Sequence, residues 1–218
     1  MRTTQYVAAL TVIVLFAGPT WAQAASNSKP DSSGTSASNP WSFSLTADAY
    51  VVPHAEFFLS PIATADRGWL HLEARYNYEN LYTGSLWVGY NVSFGKTLSL
   101  SVTPMIGGVL GRTNGVAPGC EASLTYKKVE ASVSNEYVFD TASKAGNFYY
   151  AWPQLTFSPM AWFRVGAVAQ RTKAYHTPVS IQRGFLVGFS HKQLEFTTFV
   201  FNPQLDKPTV VLEVGASF

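Results

Sequence analysis

The chain has 218 residues, of which 13% are charged and 15% aromatic, with a formal net charge of +2. An ordinary soluble domain carries roughly 25% charged residues, yet the mean hydropathy here is only +0.05, too low for an apolar helix bundle. The 47% hydrophobic share excludes disorder over most of the length, the single Cys120 excludes a disulfide scaffold, and the near-neutral balance argues against nucleic acid as the partner.

Arg2 precedes an apolar run from Tyr6 to Gly18, and Ala22-Gln23-Ala24 follows it. A charged start, an apolar run and a small-x-small site read together as a secretory signal peptide over residues 1–24. The run is short for a membrane-spanning helix, which needs about 20 residues. No cysteine follows the site, which argues against a lipoprotein. Residues 25–40 (ASNSKPDSSGTSASNP) have almost no apolar content and cannot bury enough surface to fold. They are expected to be a disordered periplasmic lead-in to one domain over residues 41–218.

From Trp41 onward the polarity alternates with period two, as it does in strands lying between two different environments. Leu70, Leu72, Ala74, Tyr76 and Tyr78 fall on one face; His71, Glu73, Arg75, Asn77 and Glu79 fall on the other. Leu86, Val88, Tyr90, Val92 and Phe94 oppose Trp87, Gly89, Asn91 and Ser93. Leu98, Leu100, Val102 and Ile106 oppose Ser99, Ser101, Thr103 and Gly107. Over 129–140 the polar face is Glu130, Ser132, Ser134, Glu136 and Asp140, while Asn135 stands against the pattern on the apolar face with Cys120. The chain closes on Val210, Leu212, Val214, Ala216 and Phe218 against Val211, Glu213, Gly215 and Ser217.

Short turns (66–68, 95–96, 127–128, 158–160, 191–192) alternate along the chain with looser polar loops. The loops fall at 53–54, around Asn80, and at 112–115, 141–146, 173–178 and 203–207. Tight turns at one end and longer loops at the other are how outer-membrane barrels are built, with an even strand number. The segmentation predicts an all-β, transmembrane, antiparallel up-and-down barrel of about twelve strands, with ten as the alternative. The segment 56–65 is the weakest of the twelve, because Phe57, Phe58, Leu59, Pro61 and Ile62 do not alternate cleanly.

Charge on the lipid face of a barrel is costly, about 2–4 kcal/mol for Arg or Lys at the midplane. Acids within a strand do keep one parity, as in Glu73/Glu79 and Glu130/Glu136/Asp140. The expected lumen set is Asp48, His71, Glu73, Arg75, Glu79, Glu121, Glu130, Glu136, Asp140, Arg164, Glu195 and Glu213, with Glu56 less securely placed. Most other bases sit at turns and loops. Trp41, Tyr78, Tyr137, Phe139, Tyr149, Phe157, Phe163 and Phe218 are expected to form aromatic girdles on the apolar face.

The signal peptide, the alternating hairpins and the last strand ending in Phe218 resemble Gram-negative outer-membrane β-barrel proteins. In that class an aromatic C-terminus with apolar residues at alternate positions before it is the signal for the barrel-assembly machinery. Val210, Leu212, Val214, Ala216 and Phe218 match it. The resemblance covers about residues 41–218 and implies location and assembly, not an activity.

Three functional classes follow. One is a small pore whose acidic lumen prefers cations or polar solutes. The second is a structural barrel plugged by side chains, to which Tyr50, Trp87, Tyr150, Trp152 and Phe199 contribute in lumen phase. The third is an outer-membrane hydrolase using His176 and Asp206 as a loop-borne acid–base pair. The loops are too short for an adhesin or receptor surface. Outer-membrane lipid is the expected surrounding; no metal-ligand cluster, cofactor or catalytic residue is expected from spacing.

Overall fold

A computed structural model describes residues 40–52, 56–174 and 180–218. The expected signal peptide, the lead-in up to residue 39, His54 and His176 lie outside the described residues. The strands are β1 (Ser42–Val51), β2 (Phe58–Arg67), β3 (Leu70–Tyr76), β4 (Thr83–Tyr90), β5 (Val92–Phe94), β6 (Leu98–Gly111) and β7 (Gly115–Tyr126). They continue as β8 (Val129–Asp140), β9 (Phe148–Met160), β10 (Phe163–Ala174), β11 (Ser180–His191), β12 (Leu194–Phe201) and β13 (Thr209–Ser217). Among the described residues, no helix is long and apolar enough to cross a membrane.

Apart from β4 and β5, every strand pairs antiparallel with its sequence neighbour, and β1 pairs with β13. The backbone of Phe218 exchanges hydrogen bonds with Phe43, at 2.8 and 3.1 Å. The last residue is thus part of the seam that closes the sheet. On the other side β4 and β5 both pair with β6, and the register resumes unchanged across their gap: Gly89 stands opposite Met105, and Val92 opposite Val102. They form one stave interrupted at Asn91, so the thirteen strands make a closed barrel of twelve staves. Closure removes the exposed edges that an open sheet would carry.

Side-chain direction follows parity on almost every stave. Leu86 and Leu110 point outward, each 71% exposed, while their neighbours Trp87 and Val109 are buried inside. The outer surface carries Phe43, Leu45, Val88, Leu100, Ile106, Leu124, Leu155, Phe185, Leu212 and Val214. Such an apolar band on a barrel is a lipid-facing surface. Trp69 and Tyr90 stack at its turn end, as do Trp162 and Phe189; Tyr76, Tyr82 and Phe139 are exposed toward its loop end. β2 keeps the same parity despite its composition, with Ser60 buried and Leu59 and Ala63 exposed.

Two expectations need correction. Tyr78 is not a girdle residue. The chain leaves β3 through Asn77, whose φ of 59° is left-handed, and this resets the alternation. Tyr78 swings into the lumen, 5.6 Å edge-to-face from Tyr150. Glu56 lies outside the strands and is exposed. Asn135 does face outward, and its amide donates to the Cys120 carbonyl at 3.0 Å. An amide that is hydrogen-bonded to the neighbouring stave is far less costly beside lipid than a free one.

Candidate functional site

The interior is built from two kinds of side chain. Toward the loop end, two apolar clusters pack on the inner wall. One packs Trp152, Val168, Leu186, Phe199, Phe201 and Val211, with Tyr50 and Tyr150 against it. The other packs Trp87, Met105, Val109, Ala117 and Val138, with Phe148 against it. Trp152 meets Phe199 and Phe201 edge-on at 5.2 and 5.3 Å, the preferred arrangement for aromatic quadrupoles. Trp87 fits because its paired position on the adjacent strand is bare: a Cβ built on Gly107 of β6 would lie 2.4 Å from the indole.

Between these clusters and the turn end lies a charged group centred on Arg75, which is only 5% exposed. Its Nε donates to Glu73 on its own strand, and Nη1 donates to Glu136 on β8 at 2.7 Å. The bond to Glu136 spans the lumen, since β3 and β8 are not neighbours in the sheet. The guanidinium lies between two rings, 4.4 Å from Tyr78 and 4.5 Å from Trp87. Glu79 lies 4.0 Å away; it accepts from Ser85 Oγ and, at 3.3 Å, from Trp87 Nε1. These contacts tie the 77–82 loop down into the barrel mouth. Cation–π contacts of this kind are worth up to about 2 kcal/mol when desolvated.

His71 stands one step nearer the turn end. Its Nδ1 lies 2.8 Å from Asp66 and its Nε2 3.2 Å from Glu73. Both ring nitrogens face carboxylate oxygens, so a doubly protonated ring, with two donors, satisfies both contacts. His71, Glu73 and Glu121 also bring possible ligand atoms within 4.8 Å of one another. This grouping was invisible in the sequence, because Glu121 comes from β7, far from β3 in the chain. Arg75 already bonds the other carboxylate oxygen of Glu73, and its positive charge disfavours a dication there.

On the opposite wall Arg164 pairs closely with Glu195, lies 3.5 Å from Glu213 and donates to Thr197 at 2.6 Å. Gly188 makes this reach feasible: a Cβ there would come within 2.6 Å of the Arg164 side chain. Glu130 accepts from Thr125 at 3.0 Å near the turn end. Asp140 serves the loop instead, accepting from the backbone of Ala142 at 2.7 Å and of Ser143 at 3.3 Å. Asp48 is 6% exposed and stands beside Glu213 across the β1–β13 seam.

A cavity of about 420 Å³ remains at mid-height. Its wall includes Asp48, Glu73, Glu121 and Glu213 against the single base Arg75, with Ser101, Thr103, Ser123, Ser132, Ser134 and Gln154 between them. The apolar inner residues Val109, Val138, Leu186 and Phe201 escaped sequence reasoning. Val138 shares parity with Glu136 and Asp140, and that parity was the available signal.

No protein-family profile matches the chain, and no curated protein matches it in sequence. Among solved structures the fold is similar to a KdgM porin, with TM-score 0.57 and 11% identity over 80% of this chain and 99% of that one. It is equally similar to a KdgM porin in complex with disordered oligogalacturonate, with TM-score 0.58 and 10% identity over the same shares. The outer membrane protein Omp33 of Acinetobacter baumannii aligns over 83% of this chain and all of its own, with 11% identity and TM-score 0.49. A closed antiparallel barrel with an apolar outer band and a porin-like fold is a barrel of the bacterial outer membrane.

Proposed function

We propose that the protein is a narrow, non-enzymatic outer-membrane channel that prefers cations. The observation that supports this is the imbalance on the inner wall. Around the cavity four carboxylates face one guanidinium. Arg75 is already engaged by Glu73 and Glu136 and lies 3.9 Å from Glu121, while Arg164 is engaged by Glu195 and lies 3.5 Å from Glu213; with Asp48 counted, two guanidinium groups serve six carboxylates, which leaves the acids in excess. A low-dielectric tube focuses such a field and raises the local concentration of cations. A KdgM porin of similar fold has been solved with oligogalacturonate, an anionic oligosaccharide; the wall here favours the opposite sign.

The test is the reversal potential of the refolded barrel in a planar bilayer under a potassium chloride gradient. Small, cation-selective currents are expected, and Glu121→Gln with Glu213→Gln should move the reversal potential toward zero. Anion selectivity, or a potential indifferent to both changes, would sink the reading. Glu136 is a poor choice for this test because its charge is spent on Arg75.

The apolar clusters favour a second reading, a structural barrel whose lumen stays plugged. It expects no current from the natural chain, and current only after Trp152→Ala with Phe199→Ala removes the packing.

A further inference from the structure

The mid-height cavity has features that neither ion passage nor plugging uses. Asp48 lines it, is 94% buried by its 6% exposure, and leaves Oδ1 with no hydrogen-bond partner. Trp152 lines it too, 8% exposed, with its indole Nε1 likewise unpartnered. Native proteins rarely leave buried donors and acceptors unmet, and each costs about 1–3 kcal/mol when left so. The two unmet groups differ in kind: one accepts and carries negative charge, and the other donates. Glu213 stands directly beside Asp48 in the β1–β13 register. Between the charged positions the wall is hydroxyl and amide: Ser101, Thr103, Ser123, Ser132, Ser134 and Gln154. At about 420 Å³ the space lies within the range of small-molecule sites.

We propose that this cavity is a binding site for a small hydroxylated organic ammonium ion. Its ammonium group donates to Asp48 and Glu213, an oxygen of the ligand accepts from Trp152 Nε1, and its hydroxyls meet the Ser and Thr wall. The inference rests on the reading of the inner wall as cation-preferring, and deepens it from a field to a site. Charge alone would hold potassium equally well. The indole donor and the hydroxyl lining are what a polyhydroxylated amine can use and a bare ion cannot. Arg75 is held by Glu73 and Glu136; Arg164 lies 3.5 Å from Glu213 but is bonded to Glu195 and Thr197, so Asp48 is the main anchor for the ammonium group and Glu213 adds its charge beside it.

The probe is glucosamine, with glucose as its neutral counterpart and galacturonate as its anionic one. Binding to the refolded full-length mature barrel in detergent is followed by calorimetry and by Trp fluorescence. Glucosamine is expected to saturate, with glucose and galacturonate each at least about tenfold weaker. Asp48→Asn should weaken glucosamine at least about tenfold, while leaving the heat-modifiable gel mobility of the folded barrel unchanged. Trp152→Phe keeps the ring and removes the donor, and should weaken glucosamine and glucose alike. Equal binding of glucosamine and glucose would overturn the proposal, as would no saturation at tens of millimolar. The ligand comparison needs no variant, so a misfolded mutant leaves the test intact. Cation selectivity without glucosamine binding removes the site and leaves the channel. Glucosamine binding in a barrel that carries no current removes the channel and leaves the site.

Discussion

Toward the loop end the barrel interior is packed like the core of a soluble protein, with Phe201, Val109, Val138 and Val211 fully buried. From mid-height toward the turn end the same staves carry Ser, Thr, Gly and carboxylates and leave a cavity. Both regions are inner faces of identical strands, so the difference is one of side-chain volume and not of backbone. Large residues such as Trp152 and Phe199 interdigitate across the tube. Ser101, Ser123 and Ser132 are too short to reach across it, and the Ser101 hydroxyl meets Ser93 on the neighbouring stave, at 3.0 Å. The group around Arg75 forms the border, joined to Trp87 and Tyr78 on one side and to Glu73 and Glu121 on the other.

The largest expected effect comes from breaking that border. Arg75→Met leaves Glu136 as a buried, uncompensated carboxylate and Glu73 with His71 alone, and removing one partner of such a group costs about 3–5 kcal/mol. Urea unfolding of the refolded barrel, followed by gel mobility, should show a loss of that order. An unchanged midpoint would mean that Arg75 is solvated rather than a cross-lumen strut. Phe199→Ala opens a hole in the packed region, where the barrel wall cannot collapse to fill it, and should cost about 3–5 kcal/mol. The matching change in the open region, Ser123→Ala, should stay within about 0.5 kcal/mol. If the two variants unfold alike, the contrast between the regions is false.

A third test sets inside against outside. Leu212 faces lipid near the middle of β13, and its neighbours Val211 and Glu213 face inward. Leu212→Arg should cost about 2–4 kcal/mol in bilayer-based unfolding, the usual penalty for a cation at the midplane. In detergent-free lipid the same assay on Ser101→Arg, at the cavity wall, should show a smaller loss. Equal losses would undo the assignment of faces.

The faces were legible because acids cannot be placed beside lipid, so Glu73, Glu130 and Glu213 marked the inner parity of their staves. The even strand number followed from the alternation of tight turns with looser loops. What stayed hidden depended on distance across the tube. Glu136 and Arg75 are 61 residues apart, and nothing local in either strand shows that they meet. Tyr78 was misplaced because one left-handed residue, Asn77, ends the alternation that put it on the apolar face. The filling of the loop end was legible only in part: Tyr50, Trp87, Trp152 and Phe199 carried the signal, but Val109 and Leu186 look the same on either face of a strand. The gap at Asn91 needed tertiary information as well. Its amide donates to Asp66 at 2.7 Å and accepts from Thr103 at 2.7 Å, contacts that suit it to the lumen side.

The smallest expected effect gives the finest resolution of inside from outside, because it uses two adjacent glycines of β6. A Cβ on Gly107 would press against the Trp87 ring, 2.4 Å from its nearest atom, whereas a Cβ on Gly108 would meet nothing within 4 Å. Trp87 cannot retreat freely, since its Nε1 donates to Ser85 at 2.9 Å and its face supports Arg75. Gly107→Ala should therefore cost about 1–3 kcal/mol through overpacking. Gly108→Ala adds a methyl group to the lipid-facing side of a strand and should be neutral or slightly stabilising, within about 0.5 kcal/mol. Paired urea titrations of the two variants read the difference directly. Should Gly107→Ala prove as stable as Gly108→Ala, Trp87 does not lie flat over the neighbouring stave, and the packed end of the lumen is looser than its geometry indicates.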